Sequence, residues 1–272
     1  MTGNQSKENL EGNPQRNLKG STRRLFSARD YPLRYFVIPK CGCTFVKNTI
    51  WQLDHGTMHP NPKRIHDDDD KILRAADLGL TVEDVVAEGL AFTVLRNPID
   101  RFFSLYKDKI LGSGHLQFPP LRSILSTRYG LNPTACAEYE HQRNCHILID
   151  WLEKNLADGI DIKSDPHWTP QSSRKTVISE LRLRVLVLDN VSRQMLVLLG
   201  AAVPDLSSIV QVSERNRSDE KLLRRSVMDK PISRRVNEVY ATDRRWYRHA
   251  VDLWSKTVPT SPDQVPRYEP SW

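Results

Sequence analysis

Residues 39 to 44 read Pro39-Lys40-Cys41-Gly42-Cys43-Thr44, and residues 96 to 106 read Arg96-Asn97-Pro98-Ile99-Asp100-Arg101-Phe102-Phe103-Ser104-Leu105-Tyr106. Each stretch carries groups that grip an anion. In the first, a tight turn at Gly42 aims successive backbone N–H groups, and the positive end of the helix that follows, at one oxygen-rich group. Cys41 and Cys43 are small enough for that turn, Lys40 adds a mobile charge, and Thr44 adds a hydroxyl donor. In the second, Arg96 offers a bidentate fork and Ser104 a hydroxyl. Two such grips suit a ligand with two separated phosphate groups. The first loop is not a Walker loop, because GxxxxGK[ST] sets its lysine directly before the Ser/Thr, whereas Lys40 precedes the turn.

The elements that must position these groups follow from apolar patterning. Tyr35 to Ile38, Ala91 to Leu95 and Val185 to Leu188 are short buried-strand runs, and each ends in a polar turn. A helix is expected from Thr44 to Leu53. A second starts at Asn97 as N-cap with Pro98 at the first helical position and continues to Ile110. Others are expected over Pro120 to Arg128, Asn144 to Leu156 and, as one long helix, Pro231 to Trp254. Strand and helix in alternation predict an α/β fold with a central parallel sheet flanked by helices, P-loop-like in layout. Arg96 then falls at a strand's carboxyl end, where open sheets of this kind bind ligands. Residues 1–32, polar and charged, read as a disordered N-terminal arm; residues 33–272 read as a single domain, with a proline-bearing strap from Lys256 to Trp272.

Composition narrows the class. The chain has 272 residues, of which 39% are hydrophobic and 27% charged, so it buries a core without needing disulfides or a metal. The formal charge is +7, concentrated in the first 32 residues and in Glu214 to Arg248, where eleven Lys and Arg face six Asp and Glu. A local basic surface of this kind suits a phosphorylated or sulfated ligand at least as well as a nucleic acid, whose backbone usually demands a broader stripe. No stretch is long and apolar enough for stable membrane insertion, and the first twenty residues lack the apolar core of a secretory signal. Cytoplasmic localisation is the expectation, and four cysteines fit it.

Taken together, the two motifs resemble those of the cytosolic and Golgi sulfotransferases, in particular PKxGxT and R(D/E)PxxRxxSxY of the carbohydrate sulfotransferase group (the Golgi-type sulfotransferase 2 family), here without a membrane anchor. Looser landmarks continue the likeness: DPHWTPQ at Asp165 to Gln171, VLVLDNV, ERNRS at Glu214 to Ser218, and VYATDRRWY at Val239 to Tyr247. The resemblance implies the sulfotransferase fold and a 3′-phosphoadenylyl sulfate (PAPS) donor leaving as 3′,5′-ADP. Carried over by position, Lys40 meets the 5′-phosphate and the bridging oxygen, Thr44 the 5′-phosphate, and Arg96 with Ser104 the 3′-phosphate. Asn216 and Ser218 are weaker donor-site candidates. Asn97 departs from the usual Asp or Glu but keeps a capping side chain. The implied acceptor is a hydroxyl of a carbohydrate or glycosylated small molecule.

Sulfuryl transfer builds negative charge on the leaving oxygen, a place for Lys40. The attacking hydroxyl must lose a proton, a task for histidine. His66, in the interval where the group often carries its base, is the first choice, and His167 in DPHWTPQ is its rival, with His55 and His59 behind; Trp168 and Gln171 look suited to a sugar or the donor. No metal is expected. The run Asp67 to Asp70 reads as a solvated helix start, the order of Cys136, His141, Cys145 and His146 fits no zinc spacing, and Arg101 is expected to pair with a carboxylate. The competing readings are a P-loop-type nucleotide-dependent kinase, which lacks its Walker lysine here, and a non-catalytic protein that binds polyanions or nucleic acid, which lacks an aromatic platform.

Overall fold

Four short strands, β1 (Leu25–Ser27), β2 (Arg34–Phe36), β3 (Phe92–Leu95) and β4 (Arg184–Val187), lie side by side in that order in the computed structural model, which describes residues 20–112, 118–159, 161–212, 220–269 and 271–272. β2, β3 and β4 run parallel, with Tyr35 opposite Phe92 and Phe92 opposite Arg184. β1 runs antiparallel to β2. The fold is therefore α/β as expected, but its sheet is mixed rather than wholly parallel. The short connection over residues 28–33 explains this, since a link of that length joins only antiparallel neighbours. It also shortens the expected arm at its C-terminal end, because Leu25 and Phe26 are buried in the sheet rather than disordered. All residues of the four strands are buried, which is why each parallel strand reads as a continuous apolar run rather than an alternating one.

Helix α1 (Cys43–His55) follows β2, and α2 (Pro98–Leu105) follows β3. The Asn97 side chain caps α2 by accepting the Ile99 N–H at 2.9 Å. α2 then widens into a π-helical turn over Tyr106–Leu111. Beyond it come α3 (Pro119–Tyr129), α4 (Glu138–Asp158), α5 (Val191–Leu199), α6 (Lys230–Val239) and α7 (Ala241–Thr257). The helix expected over Pro231 to Trp254 is thus two, broken at Tyr240, whose φ of −109° and ψ of 39° leave the helical region. The break turns the buried Tyr240 hydroxyl toward the Trp168 carbonyl, to which it donates at 2.7 Å.

Two apolar clusters result. One surrounds the sheet and includes Tyr35, Ile50, Phe92 and Leu186; the other joins α2, α3, α4 and α6 around Trp151 and Trp168, whose rings meet edge-to-face at 5.4 Å. The C-terminal strap covers the free edge of β4: Val185 donates to the Pro266 carbonyl at 2.8 Å, and Tyr268 to that of Leu183 at 3.0 Å. An edge that would otherwise invite pairing with another chain is closed by the protein's own tail.

Candidate active site

The residues that directly follow the three parallel strands, Val37, Arg96 and Leu188, line one cleft of about 740 Å³. Lys40, Thr44, Ser104, His66 and His167 line it too, so the two anion grips and both candidate bases share a single space. Asn216 and Ser218 lie outside the described residues.

The loop between β2 and α1 is held in an uncommon backbone shape. Lys40 (φ 69°) and Gly42 (φ 79°) both occupy the left-handed region, and a Cβ on Gly42 would come 2.6 Å from Leu188 Cδ1. A non-glycine residue at positive φ is costly unless its surroundings hold it, and such residues collect at functional sites. Here Arg96 Nη1 donates to the Lys40 carbonyl at 3.0 Å, and Arg101 Nε donates to that of Pro39 at 3.1 Å. Among the described residues no side chain caps α1, which leaves its first N–H groups available to a ligand.

Gln171 bolts the two motifs together. Its Oε1 accepts the Arg96 N–H at 3.0 Å and the Cys41 thiol at 3.1 Å, while its Nε2 donates to the Arg96 carbonyl at 2.9 Å. Asp243 of α7 supports it by accepting the backbone N–H groups of Gln171 (2.7 Å) and Ser172 (2.8 Å). Gln171, Asp243 and Trp168 are each 1% exposed, so Gln171 and Trp168 are framework and not the sugar- or donor-contacting residues expected from sequence. Replacing Asp243 by alanine leaves the buried Gln171 N–H and the part-buried Ser172 N–H without their acceptor and is expected to lower stability by about 1–4 kcal/mol. Denaturant unfolding measures this, and a loss below about 1 kcal/mol would show that the bolt contributes little.

Arg101, 3% exposed, differs from expectation as well. It pairs with backbone carbonyls, donating through Nη2 to Pro166 at 2.9 Å and His167 at 3.3 Å in addition to Pro39. This one side chain therefore fixes the loop between β2 and α1 against the segment that carries His167.

The two histidines face opposite kinds of partner. His167 Nδ1 lies 2.7 Å from Asp165 Oδ1, and a carboxylate there can only accept, so Nδ1 carries the proton and Nε2 keeps its lone pair. Burial lowers the His167 pKa below that of ordinary imidazole, against the pull of Asp165, and Lys109 and Lys40 lower it further. Burial raises the Asp165 pKa, but the hydrogen bonds from His167 outweigh it and hold the carboxyl below the usual range. His66 Nδ1 instead lies 3.0 Å from Lys47 Nζ, which is paired with Asp69 at 2.5 Å. An ammonium can only donate, so Nε2 of His66 carries the proton and donates a hydrogen bond to Thr44 Oγ1 at 3.0 Å. Cys43 Sγ is 3.7 Å from the same nitrogen. Burial works against the Cys43 thiolate, but His66 and the charges of Lys47 and Lys40 bring its pKa down to about 7, whereas burial pushes that of Cys41 up to about 12.

Two charged groups on the π turn were not singled out from the sequence. Asp108 pairs with Lys40, and Lys109 lines the cleft beside it. In an α-helix only Asp108, four residues on from Ser104, would share its face; the i→i+5 spacing of a π turn brings Lys109 there as well.

The other sequence features resolve into ordinary packing. Asp67, Asp68 and Asp69 pair with Arg64, His59 or Lys71, and Lys47. His55 stacks on Trp51, Cys145 is buried and Cys136 exposed, and the described residues hold no group of three or more His, Cys, Asp or Glu placed for a metal. Of the basic stretch, Arg235 is tied to Asp150 and Glu153, while Arg244, Arg245 and Arg248 are exposed. Among the described residues no helix is long and apolar enough to cross a membrane.

A family model described as sulfotransferase family matches residues 23–250. Comparison with curated proteins and with solved structures gave no match.

Proposed function

The chain belongs to the sulfotransferase family, and from that premise we propose that it moves a sulfuryl group from PAPS to a hydroxyl of a carbohydrate or glycosylated small molecule. The observation that carries this reading is the meeting of the two anion grips, with Arg96 hydrogen-bonded to the carbonyl of Lys40 in one cleft. The uncapped start of α1 and Thr44 suit the 5′-phosphate; Arg96 and Ser104 suit the 3′-phosphate. His66 Nε2–H donates a hydrogen bond to the Thr44 oxygen, which leaves the Thr44 hydroxyl to donate to the 5′-phosphate. The acceptor class rests on the likeness of the two motifs to the carbohydrate group.

Chemistry is in-line transfer. Lys40 stands at the leaving oxygen, where a positive group lowers the barrier. For the base, the arrangement favours His167: Asp165 orients it, and its Nε2 has no partner among the described residues. His66 is assigned to the donor loop, since Lys47 occupies the lone pair a base would need.

Thermal unfolding with added nucleotide, in EDTA, tests the donor. At a hundred times Kd, 3′,5′-ADP is expected to stabilise the protein by about 2.7 kcal/mol, with no comparable effect of ATP. Stabilisation by Mg-ATP alone would favour a kinase, and weak stabilisation by any polyanion that fades with salt would favour a binding protein. A panel of sugars and phenols with labelled donor then identifies the acceptor.

A further inference from the structure

We propose that Lys109 is a catalytic residue that contacts the sulfuryl group itself and thereby distinguishes the loaded donor from the spent one. The proposal rests on the donor reading above.

The argument is one of charge at the point of transfer. Lys40, the cation carried by the donor loop, is paired with Asp108 and is assigned to the bridging oxygen. Lys47 is neutralised by Asp69, and Arg64 by Asp67. Arg96 is turned onto the Lys40 carbonyl. Lys63 lines the cleft as well but is exposed to solvent. Lys109 differs from all of these: it is half-buried, it lines the cleft, and its Nζ makes no hydrogen bond or ion pair with any described residue. The carboxylates within its electrostatic reach, Asp108 and Asp165, are engaged by Lys40 and His167, so a ligand that supplies negative charge satisfies this half-buried ammonium better. Burial pulls its pKa down, and Lys40 lowers it further, while Asp108 and Asp165 pull the other way. Its field in turn reaches His167. Lys109 thus lies within electrostatic reach of both the group assigned to the leaving oxygen and the group assigned to the acceptor.

The transferred group is anionic throughout. As the bond from sulfur to the bridging oxygen breaks, its electron pair stays on that oxygen beside Lys40. The acceptor oxygen bonds to sulfur and its proton passes to His167 Nε2. The sulfuryl oxygens keep their negative charge from start to finish, and Lys109 is the cation left to meet them. The same charge adds to the burial that lowers the His167 pKa, which favours the form able to accept the proton. 3′,5′-ADP has no sulfuryl group, so Lys109 has little to offer it.

The test compares PAPS with 3′,5′-ADP on wild type, Lys109→Met and Lys109→Arg, by titration calorimetry without acceptor and by initial rates with it. Lys109→Met is expected to weaken PAPS about tenfold or more, to leave 3′,5′-ADP within about twofold, and to lower kcat/KM for PAPS by about the same factor as its affinity, because the sulfuryl charge is the same in the bound donor and the transition state. Lys109→Arg is expected to recover part of the PAPS affinity. In Lys109→Met the imidazole of His167, followed by NMR, is expected to titrate at higher pH than in wild type. Equal weakening of both nucleotides would overturn the proposal, because it would mean a general effect on the donor site. Unchanged affinity for both, with only the acceptor KM raised, would also overturn it and make Lys109 an acceptor contact. If wild type binds neither nucleotide, the donor reading fails first, visibly and before any variant is compared.

Discussion

Lys40→Ala is expected to lower kcat for sulfuryl transfer by about 10²–10³-fold while 3′,5′-ADP still binds. The two effects separate because the nucleotide has other holds: the uncapped N-terminus of α1, Thr44, Arg96 and Ser104 all survive the change. What is lost is the one side chain placed to meet charge growing on the bridging oxygen, an interaction stronger in the transition state than in the bound donor. Lys40→Arg is not expected to rescue. The Lys40 side chain is 12% exposed, joined to Asp108 and carried on a left-handed residue, so a longer planar fork has no room to adopt the same position. Single-turnover rates and nucleotide titration decide the point. A variant that keeps kcat within a few-fold would remove Lys40 from the leaving oxygen, and one that loses 3′,5′-ADP in parallel would make it a binding residue.

How much of this was legible beforehand depends on how local each determinant is. The strands that precede Lys40 and Arg96 and the cap at Asn97 are each set by residues within a few positions of one another, and each appears where expected. β1 was missed because three residues, Leu25 to Ser27, stand inside an otherwise polar stretch and become a strand only by pairing with β2. The break at Tyr240 was missed because both flanking segments have helical periodicity and the partner of Tyr240, the Trp168 carbonyl, lies 72 residues away. Gln171 and Asp243 are likewise joined only in three dimensions. Lys109 was hidden by register, since α-helical spacing turns it away from Ser104 and the π turn brings it back.

The choice between His66 and His167 is the case in which sequence had least to offer, because it turns on what each Nδ1 faces. His167→Ala is expected to lower kcat by about 10²–10⁴-fold with donor affinity little changed. His66→Ala is expected to raise the donor KM with a smaller effect on kcat, because its ring supports Thr44 and lies beside Lys47. The pH dependence carries a sign. His167 must be neutral to accept the acceptor's proton, so activity falls on the acid side as the imidazole gains a proton. Burial, with Lys109 and Lys40, holds its pKa below the ordinary value, so in the free enzyme the midpoint of that acid limb is expected below about 6.5. Asp165→Asn removes the negative partner that favours the protonated ring, which moves the midpoint lower still, and it also loosens the tautomer that keeps Nε2 free. Activity is therefore expected to drop in Asp165→Asn even at pH 8, where charge alone would predict no loss. The kcat/KM profile for the donor, run on both variants, measures these effects together. An acid limb that persists unchanged in His167→Ala and disappears in His66→Ala would return the base to His66.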